Sequence, residues 1–224
     1  MSITKLFKER RDYADEEIIS FLSGEPNYNV IIFDTETNGL YRKDLVPSVL
    51  SISAIKGTII SKDYFSILGH YNRFYFPVED YNPEALYVNG LTKRIVEELR
   101  GDLNYPKYFV DDVEAFKEFC MGYHLFIGHN AKDFDCKFIP INWGNLKVFD
   151  TMKSNTDIVC SSWNDYYHNW KTPKLKETVS FYGISLEESK LHGSAYDTEM
   201  TLKIFMAMLK RSTVRLKNFK ERNV

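Results

Sequence analysis

The sequence has few cysteines and almost no excess charge of either sign. Its three cysteines form no Cys-x-x-Cys pair, so neither a disulfide framework nor a zinc site is indicated. The 29 basic and 31 acidic residues give a formal net charge of −2. That balance argues against a strongly electrostatic nucleic-acid binder, although a local basic patch is compatible with it.

Long apolar runs and internal repeats are also absent. No apolar run approaches the length of a membrane-spanning helix, and the first residues are too charged for a signal peptide. We therefore expect a cytoplasmic protein with no membrane association. The hydrophobic content of 44% is enough for a sizeable core, and 224 residues suffice for one domain with small appended elements.

The predicted domain lies between two short appended segments. Residues 1–25 are predicted to form an N-terminal helical extension, because apolar and charged residues are mixed there before a glycine and a proline end the run. Residues 26–211 are predicted to form the main domain. Residues 212–224 are predicted to form a basic C-terminal tail, which could bind a phosphate backbone or simply be a solvated helix end.

Hydrophobic patterning predicts an α/β fold with a mixed five-stranded sheet flanked by helices. The first three strands form an antiparallel meander, with a turn at Gly57, and the two later strands are short and buried. A helix is expected directly after Asn130, which can cap it. The predicted strands lie at residues 30–33, 46–55, 58–68, 125–127 and 147–149, and the other predicted helices at 82–86, 93–99, 110–121, 174–181 and 194–210.

Two carboxylates stand one residue apart at the end of the first predicted strand. Residues i and i+2 of a strand point to the same face, so Asp34 and Glu36 should project side by side. Two like charges so close repel each other, and a bound cation relieves that repulsion. A hard divalent ion requires more oxygen ligands than this pair supplies, so other parts of the chain must complete the site.

Two later clusters could supply the missing ligands. Residues 128–135 follow the carboxyl end of a buried strand, where open α/β sheets place their sites, and residues 191–197 begin the last helix. Each cluster also has an ordinary explanation. Asp133 and Asp135 could be solvated acids in the first turn of a helix, and Asp197 stands at capping-box spacing from Ser194.

Taken together, these residues resemble the motifs of the DnaQ-like, or DEDDh, 3′–5′ exonucleases of the ribonuclease H-like fold. The first motif is Phe33-Asp34-Thr35-Glu36-Thr37-Asn38-Gly39-Leu40, the second is His129-Asn130-Ala131 with Phe134-Asp135, and the third is His192 with Asp197. The second motif carries one extra residue, which leaves Asp133 as an alternative to Asp135. Asn89 stands where the family often has histidine.

The resemblance implies a site with two divalent metal ions, Mg²⁺ or Mn²⁺. Asp34, Glu36 and Asp197 would bind the first ion, and Asp34 with Asp135 the second, while His192 would act as the general base. These five residues form the predicted catalytic set. The terminal nucleotide would contact Leu40, for which a plain core leucine is the alternative, and the predicted substrate-binding residues are Thr37, Gly39, Leu40 and Asn130.

The predicted function is hydrolysis of terminal phosphodiesters of DNA at single-stranded or frayed 3′ ends, with release of nucleoside monophosphates. The partner would be nucleic acid with a free 3′ end, and a polymerase is a further candidate. The alternatives are a 3′–5′ exoribonuclease and a polymerase-associated nucleic-acid-binding module without turnover. An aromatic segment could be a platform for single strands or a loop held to the surface by its rings; it contains Trp163, Tyr166, Tyr167 and Trp170, with Lys171 and Lys174 nearby.

Overall fold

The computed structural model describes residues 28–43 and 46–211. The predicted N-terminal extension and basic tail lie outside the described residues and stay predictions. The central sheet has the strand order β3-β2-β1-β4-β5, with β1–β2 and β2–β3 antiparallel and β1–β4 and β4–β5 parallel. The predicted mixed five-stranded sheet is therefore confirmed. Its strands are β1 (Tyr28–Thr37), β2 (Val49–Ser61), β3 (Tyr64–Phe74), β4 (Leu125–Gly128) and β5 (Lys147–Asp150).

Helices flank the sheet, and a small second hairpin follows β5. Two of the helix starts have the caps that their sequences indicate: the Asn82 side chain accepts a hydrogen bond from the Glu84 amide, and Thr92 accepts one from the Ile95 amide. The helices are α1 (Pro83–Asn89), α2 (Lys93–Arg100), α3 (Val113–Phe119), α4 (Asp135–Phe138), α5 (Thr151–Ser154), α6 (Thr156–Val159), α7 (Leu175–Phe181) and α8 (Ser194–Lys210), and the hairpin strands are β6 (Trp163–Asn164) and β7 (Asn169–Trp170).

The predicted turn at Gly57 is wrong. β2 continues through this residue to Ser61, and the antiparallel register shifts there. A Cβ atom at Gly57 would overlap the Ser66 carbonyl oxygen and the Phe65 ring, so the glycine is needed for a close approach of two strands rather than for a turn.

The predicted cap at Asn130 is also wrong. Asn130 has a left-handed backbone with φ of 70°, and its amide donates a hydrogen bond to Asp150 Oδ1. A turn therefore separates β4 from the next helix, which begins only at Asp135. The predicted helix at residues 110–121 is shorter as well, because a 3₁₀ turn at Phe109–Asp111 precedes α3.

Side chains of β1 alternate between two hydrophobic layers. Val30 and Ile32 pack in the layer that contains α8, whereas Ile31 and Phe33 pack in the layer on the other face. By the same alternation, Asp34 and Glu36 continue the face that α8 covers. None of the helices in the described part of the chain is long and apolar enough to cross a membrane.

Candidate active site

Asp34 and Glu36 lie at the carboxyl end of β1, beneath the first turn of α8. The Asp34 Oδ2 atom is buried and has no hydrogen-bond partner among the described residues. Burial raises the pKa of both carboxyls well above the usual range, and the neighbouring carboxylates Asp135 and Asp197 raise it further. The pair is therefore costly to ionise without a compensating positive charge.

Three serines position the start of α8 over this pair. The Ser194 hydroxyl lies 2.9 Å from that of Ser51 and 2.8 Å from that of Ser53. In the antiparallel register these two β2 serines are paired with Glu36 and Asp34, respectively. Because the serine side chains are small, the helix approaches the sheet closely, and Asp197 is carried to the carboxylates. Burial raises the pKa of Asp197 to about 6.

His192 lies at the rim of the same group. Its side chain is exposed, its backbone is left-handed with φ of 63°, and its amide donates a hydrogen bond of 3.2 Å to Asp197 Oδ2. One ligand atom each from Glu36, His192 and Asp197 lies within 4.8 Å of the others. The third sequence motif thus places an imidazole and a carboxylate beside the first motif.

Asp135, rather than Asp133, joins the group. Asp135 is buried, and its Oδ1 atom accepts hydrogen bonds from the Thr35 amide at 2.8 Å and the Thr35 hydroxyl at 2.6 Å. Burial raises the pKa of Asp135 to about 7. Asp133 is exposed and forms an ion pair of 2.8 Å with Lys153. The extra residue in the second motif therefore lies in the surface turn before α4.

These carboxylates fit a divalent metal ion. Besides the Asp34 oxygen, the Asp197 Oδ1 atom is also buried without a hydrogen-bond partner among the described residues. Buried polar atoms are nearly always paired, so two unpaired carboxylate oxygens in one group are the pattern of a cation site. Carboxylates are the ligands that Mg²⁺ and Mn²⁺ prefer, so the donor set agrees with the predicted ions.

A cavity of about 280 Å³ lies beside Glu36. Three of the predicted substrate-binding residues, Thr37, Gly39 and Leu40, line it, whereas Asn130 does not. Leu40 is 74% exposed, which excludes the alternative of a core leucine. Gly39 has φ of 153°, and a Cβ atom there would lie 3.0 Å from the Asn82 side chain, so the turn requires glycine. The rest of the lining consists of Arg42, Asn82, Glu84, Ala85, Val88, Asn89 and Phe134.

Two asparagines that the sequence analysis did not assign hold this cavity together. Asn89 donates a hydrogen bond of 3.1 Å from its side chain to the Thr37 carbonyl, and it ends α1. Asn38 is buried, and its side chain bonds Glu79, the Asp80 carbonyl and the Asn82 amide. The distant partners of Asn38 could not be found from local sequence.

The second motif is held by Asp150 and by a half-buried histidine. Asp150 accepts hydrogen bonds from the amides of Asn130 and Lys132 and also caps α5. The ring of His129 contacts the Thr151 hydroxyl at 3.0 Å and the Pro173 carbonyl at 3.2 Å. Burial lowers the pKa of His129 to about 4, so its ring is neutral near pH 7 and positions the turn.

Comparisons with known proteins agree with this geometry. A family model described as RNase T, exonuclease, matches residues 31–205. The curated relatives include the PolC-type DNA polymerases III of Bacillus subtilis and Mycoplasma genitalium, each 24% identical over 183 residues. The matches cover 80% and 81% of this chain but only 11% of each polymerase. The chain thus spans a small part of these relatives.

Solved structures of similar fold include two exonucleases bound to DNA. Exonuclease X in complex with 5′-overhanging duplex DNA has 17% identity and a TM-score of 0.59, covering 86% of this chain and 98% of that chain. Escherichia coli exonuclease I in complex with a dT13 oligonucleotide has 15% identity and a TM-score of 0.62, covering 82% of this chain and 41% of that chain. These matches confirm the predicted ribonuclease H-like fold.

Proposed function

The chain belongs to the exonuclease family that the RNase T model describes, within the DnaQ-like superfamily, and from this premise we propose that it is a metal-dependent 3′–5′ exonuclease. Its substrate would be DNA with a single-stranded or frayed 3′ end, and its products nucleoside monophosphates. The observation that carries the proposal is the group of four buried or half-buried carboxylates, two of which have unpaired oxygens, beside one exposed histidine.

The residues of this group have distinct roles in the proposal. Asp34, Glu36, Asp135 and Asp197 would hold two divalent ions, Mg²⁺ or Mn²⁺. Such ions supply activation of the attacking water and stabilisation of the charge that develops on phosphate and leaving oxygen. His192 would accept the proton of the water, because its imidazole lies beside the Glu36 and Asp197 carboxylates that would hold the ion.

The cavity beside Glu36 would receive the last nucleotide of the strand. Leu40 offers an exposed apolar side chain at its edge, against which a base or sugar can pack. Thr37 and Gly39 form the turn beneath, and the Thr37 hydroxyl donates a hydrogen bond of 2.7 Å to the Gly39 carbonyl. Asn130 would act indirectly, by shaping the turn that leads to Asp135. A cavity of this size accepts roughly one nucleotide, as an enzyme that removes terminal units requires.

The choice of DNA over RNA rests on the relatives. The curated ones are DNA polymerases, and the exonuclease structures hold DNA. Because the match covers a small part of these DNA polymerases, a polymerase is also a candidate partner of this chain. An enzyme that distinguishes DNA from RNA must respond to the 2′-hydroxyl, and this is the group that a comparison of substrates would test.

The test is digestion of 5′-labelled single-stranded DNA, duplex DNA and RNA, side by side, with Mg²⁺ or Mn²⁺. A 3′–5′ exonuclease shortens the labelled strand stepwise, and a chelator stops it. The Asp34→Asn substitution keeps the size of the side chain but removes its charge, and we expect it to lower the rate about a hundred-fold or more.

Asp133→Asn is the matched control, because it changes an exposed carboxylate of the motif-two turn that pairs with Lys153 at the surface. Its activity should equal that of the unchanged protein. Degradation of RNA but not DNA would select the exoribonuclease alternative. Absence of hydrolysis on every substrate with both metals would refute the proposal and favour a binding module.

A further inference from the structure

The β6–β7 hairpin presents two tyrosines at its tip. Tyr166 is 84% exposed and Tyr167 is 68% exposed, and their rings stand at 89° to each other. The tip is held through its backbone, because both tyrosine amides donate hydrogen bonds of 3.0 Å to Asn164 Oδ1. The two rings contact each other edge to face at 4.8 Å, and their outer faces are open to a ligand.

The tryptophans of the hairpin have a different role. Trp163 and Trp170 are paired across the two strands, and their rings contact each other edge to face at 5.1 Å. They stabilise the hairpin. Of the four aromatic residues, the tryptophans thus match the expectation of rings that hold a loop in place, and the tyrosines match the expectation of a platform.

The base of the hairpin is fixed at the edge of the sheet that carries the active site. The Lys171 amide closes the hairpin on the Ser162 carbonyl at 2.8 Å. Two residues later, the buried Pro173 contacts the His129 ring through its carbonyl, and His129 directly precedes the turn that leads to Asp135. At ~3.3 Å per extended residue, the tip stands roughly 10 Å beyond this base.

The tip lacks the charge expected of a phosphate-binding loop. With histidine counted as neutral, Asp165 is the one formally charged residue of the sequence between Trp163 and Trp170, and it is acidic. Attraction to a phosphate backbone therefore cannot come from the tip, whereas aromatic faces stack on any unpaired base. In a duplex the faces of each base are covered by the neighbouring stacked base pairs, so such a platform favours single strands.

We propose that Tyr166 and Tyr167 stack on bases of a single-stranded substrate several nucleotides upstream of the 3′ end. The inference rests on the proposed exonuclease function and adds to it a preference for single strands of sufficient length. The hairpin then acts on substrate binding alone, since it carries none of the residues of the carboxylate group.

The experiment compares the unchanged protein with the Tyr166→Ser, Tyr167→Ser double variant on a length series. The substrates are the p-nitrophenyl ester of thymidine monophosphate and oligothymidylates from about 2 to about 12 nucleotides, a range set by typical single-strand site sizes. We expect the variant to raise KM for the longest strands roughly 5- to 100-fold, with kcat unchanged. The ester and the dinucleotide should be hydrolysed equally by both proteins.

Two controls sharpen the result. Tyr64→Ser changes a tyrosine that is 60% exposed near the opposite edge of the sheet, and it should leave KM unchanged. A long strand with abasic upstream positions keeps its phosphates but removes the bases, so the unchanged protein should bind it as weakly as the variant binds the intact strand. The ratio of the KM of the double variant to that of the unchanged protein, both on the intact long strand, should change little with salt concentration, because stacking releases few counterions.

The outcomes separate the two proposals. If the unchanged protein cleaves long strands and the variant has the same KM at every length, the stacking inference is wrong, and the hairpin is a surface loop or a protein contact. If the unchanged protein hydrolyses neither the ester nor any strand, the exonuclease proposal itself fails.

Discussion

Asp135 depends on one threonine for its position. Thr35 lies between the two carboxylates of the first motif, and both its amide and its hydroxyl donate to Asp135 Oδ1. These hydrogen bonds favour the ionised carboxylate and so oppose the increase in pKa that burial causes. The residue between Asp34 and Glu36 therefore connects the first motif to the second.

Thr35→Val tests this connection. Valine has the shape of threonine but lacks the hydroxyl, so the pKa of Asp135 should rise further and the affinity for metal should fall. We expect half-maximal activity to require roughly 10 to 100 times more Mg²⁺, with the acidic limb of the pH–rate profile moved to higher pH. Thr35→Ser keeps the hydroxyl and should behave nearly as the unchanged protein. An unaltered Mg²⁺ requirement in Thr35→Val would contradict this role.

At the scale of elements, the start of α8 is fixed to β2 by buried hydroxyl groups. Ser51, Ser53 and Ser194 form one contact, and the Thr198 hydroxyl donates to the Ser53 carbonyl at 3.3 Å. A larger side chain at any of these serines would move the helix outward. The distance between Asp197 and the first motif is therefore set by the packing of a helix on a strand.

Ser194→Ala should weaken this packing. It leaves the Ser51 hydroxyl without its partner, and we expect the free energy of unfolding to fall by about 1–3 kcal/mol. Activity should fall as well, because Asp197 lies one turn further along the helix. Urea unfolding and the rate of hydrolysis provide the two measurements. Ser180→Ala changes an exposed serine on α7 and serves as the control, with no expected effect on either quantity.

At the scale of the whole molecule, the buried carboxylate group opposes folding near neutral pH when no metal is bound. Burial raises the pKa of Asp197 to about 6 and that of Asp135 to about 7, from a usual value of 3.8. Between the usual and the raised pKa values the folded chain binds more protons than the unfolded chain. The contribution of these groups to stability is therefore fully present below the usual value of 3.8 and is lost as the pH rises through about 7.

A bound divalent metal ion should restore the stability that is lost as the pH rises. Thermal unfolding with a chelator and with Mg²⁺ is expected to show a larger stabilisation by Mg²⁺ at about pH 8 than at about pH 5, because the ion binds ionised carboxylates. Asp135→Asn should raise the unfolding temperature of the metal-free protein at the higher pH by several degrees and reduce the effect of Mg²⁺. Equal stabilisation by Mg²⁺ at both pH values would contradict the cation site.

His129 contributes with the opposite sign, so its effect can be separated from that of the carboxylates. Its pKa is lowered from 6.5 to about 4, and its contribution to stability is present above pH 6.5 and is lost as the pH falls through about 4. In Asp135→Asn the remaining acid limb of the stability curve should therefore become steeper.

The central sheet could be predicted from the sequence because its signals are local. Apolar runs and turn residues locate the five strands, and a meander must pair antiparallel. The errors arose where a distant contact overrides a local signal. Gly57 resembles a turn residue, but the close approach of Phe65 and Ser66 explains it. Asn130 resembles a helix cap, but Asp150 holds it in a left-handed turn.

The sequence by itself determined most residues of the candidate site, since spacing along the chain is sufficient to match motifs. Only the tertiary structure decided between Asp133 and Asp135. It places Asp135 against Thr35 in the carboxylate group, whereas Asp133 pairs with Lys153 at the surface. It also decided that Leu40 is exposed and that Tyr166 and Tyr167 present open ring faces. Burial and unpaired hydrogen-bonding groups depend on residues a hundred or more positions apart, as with Thr35 and Asp135 or Ser53 and Thr198. Local sequence carries no record of such neighbours.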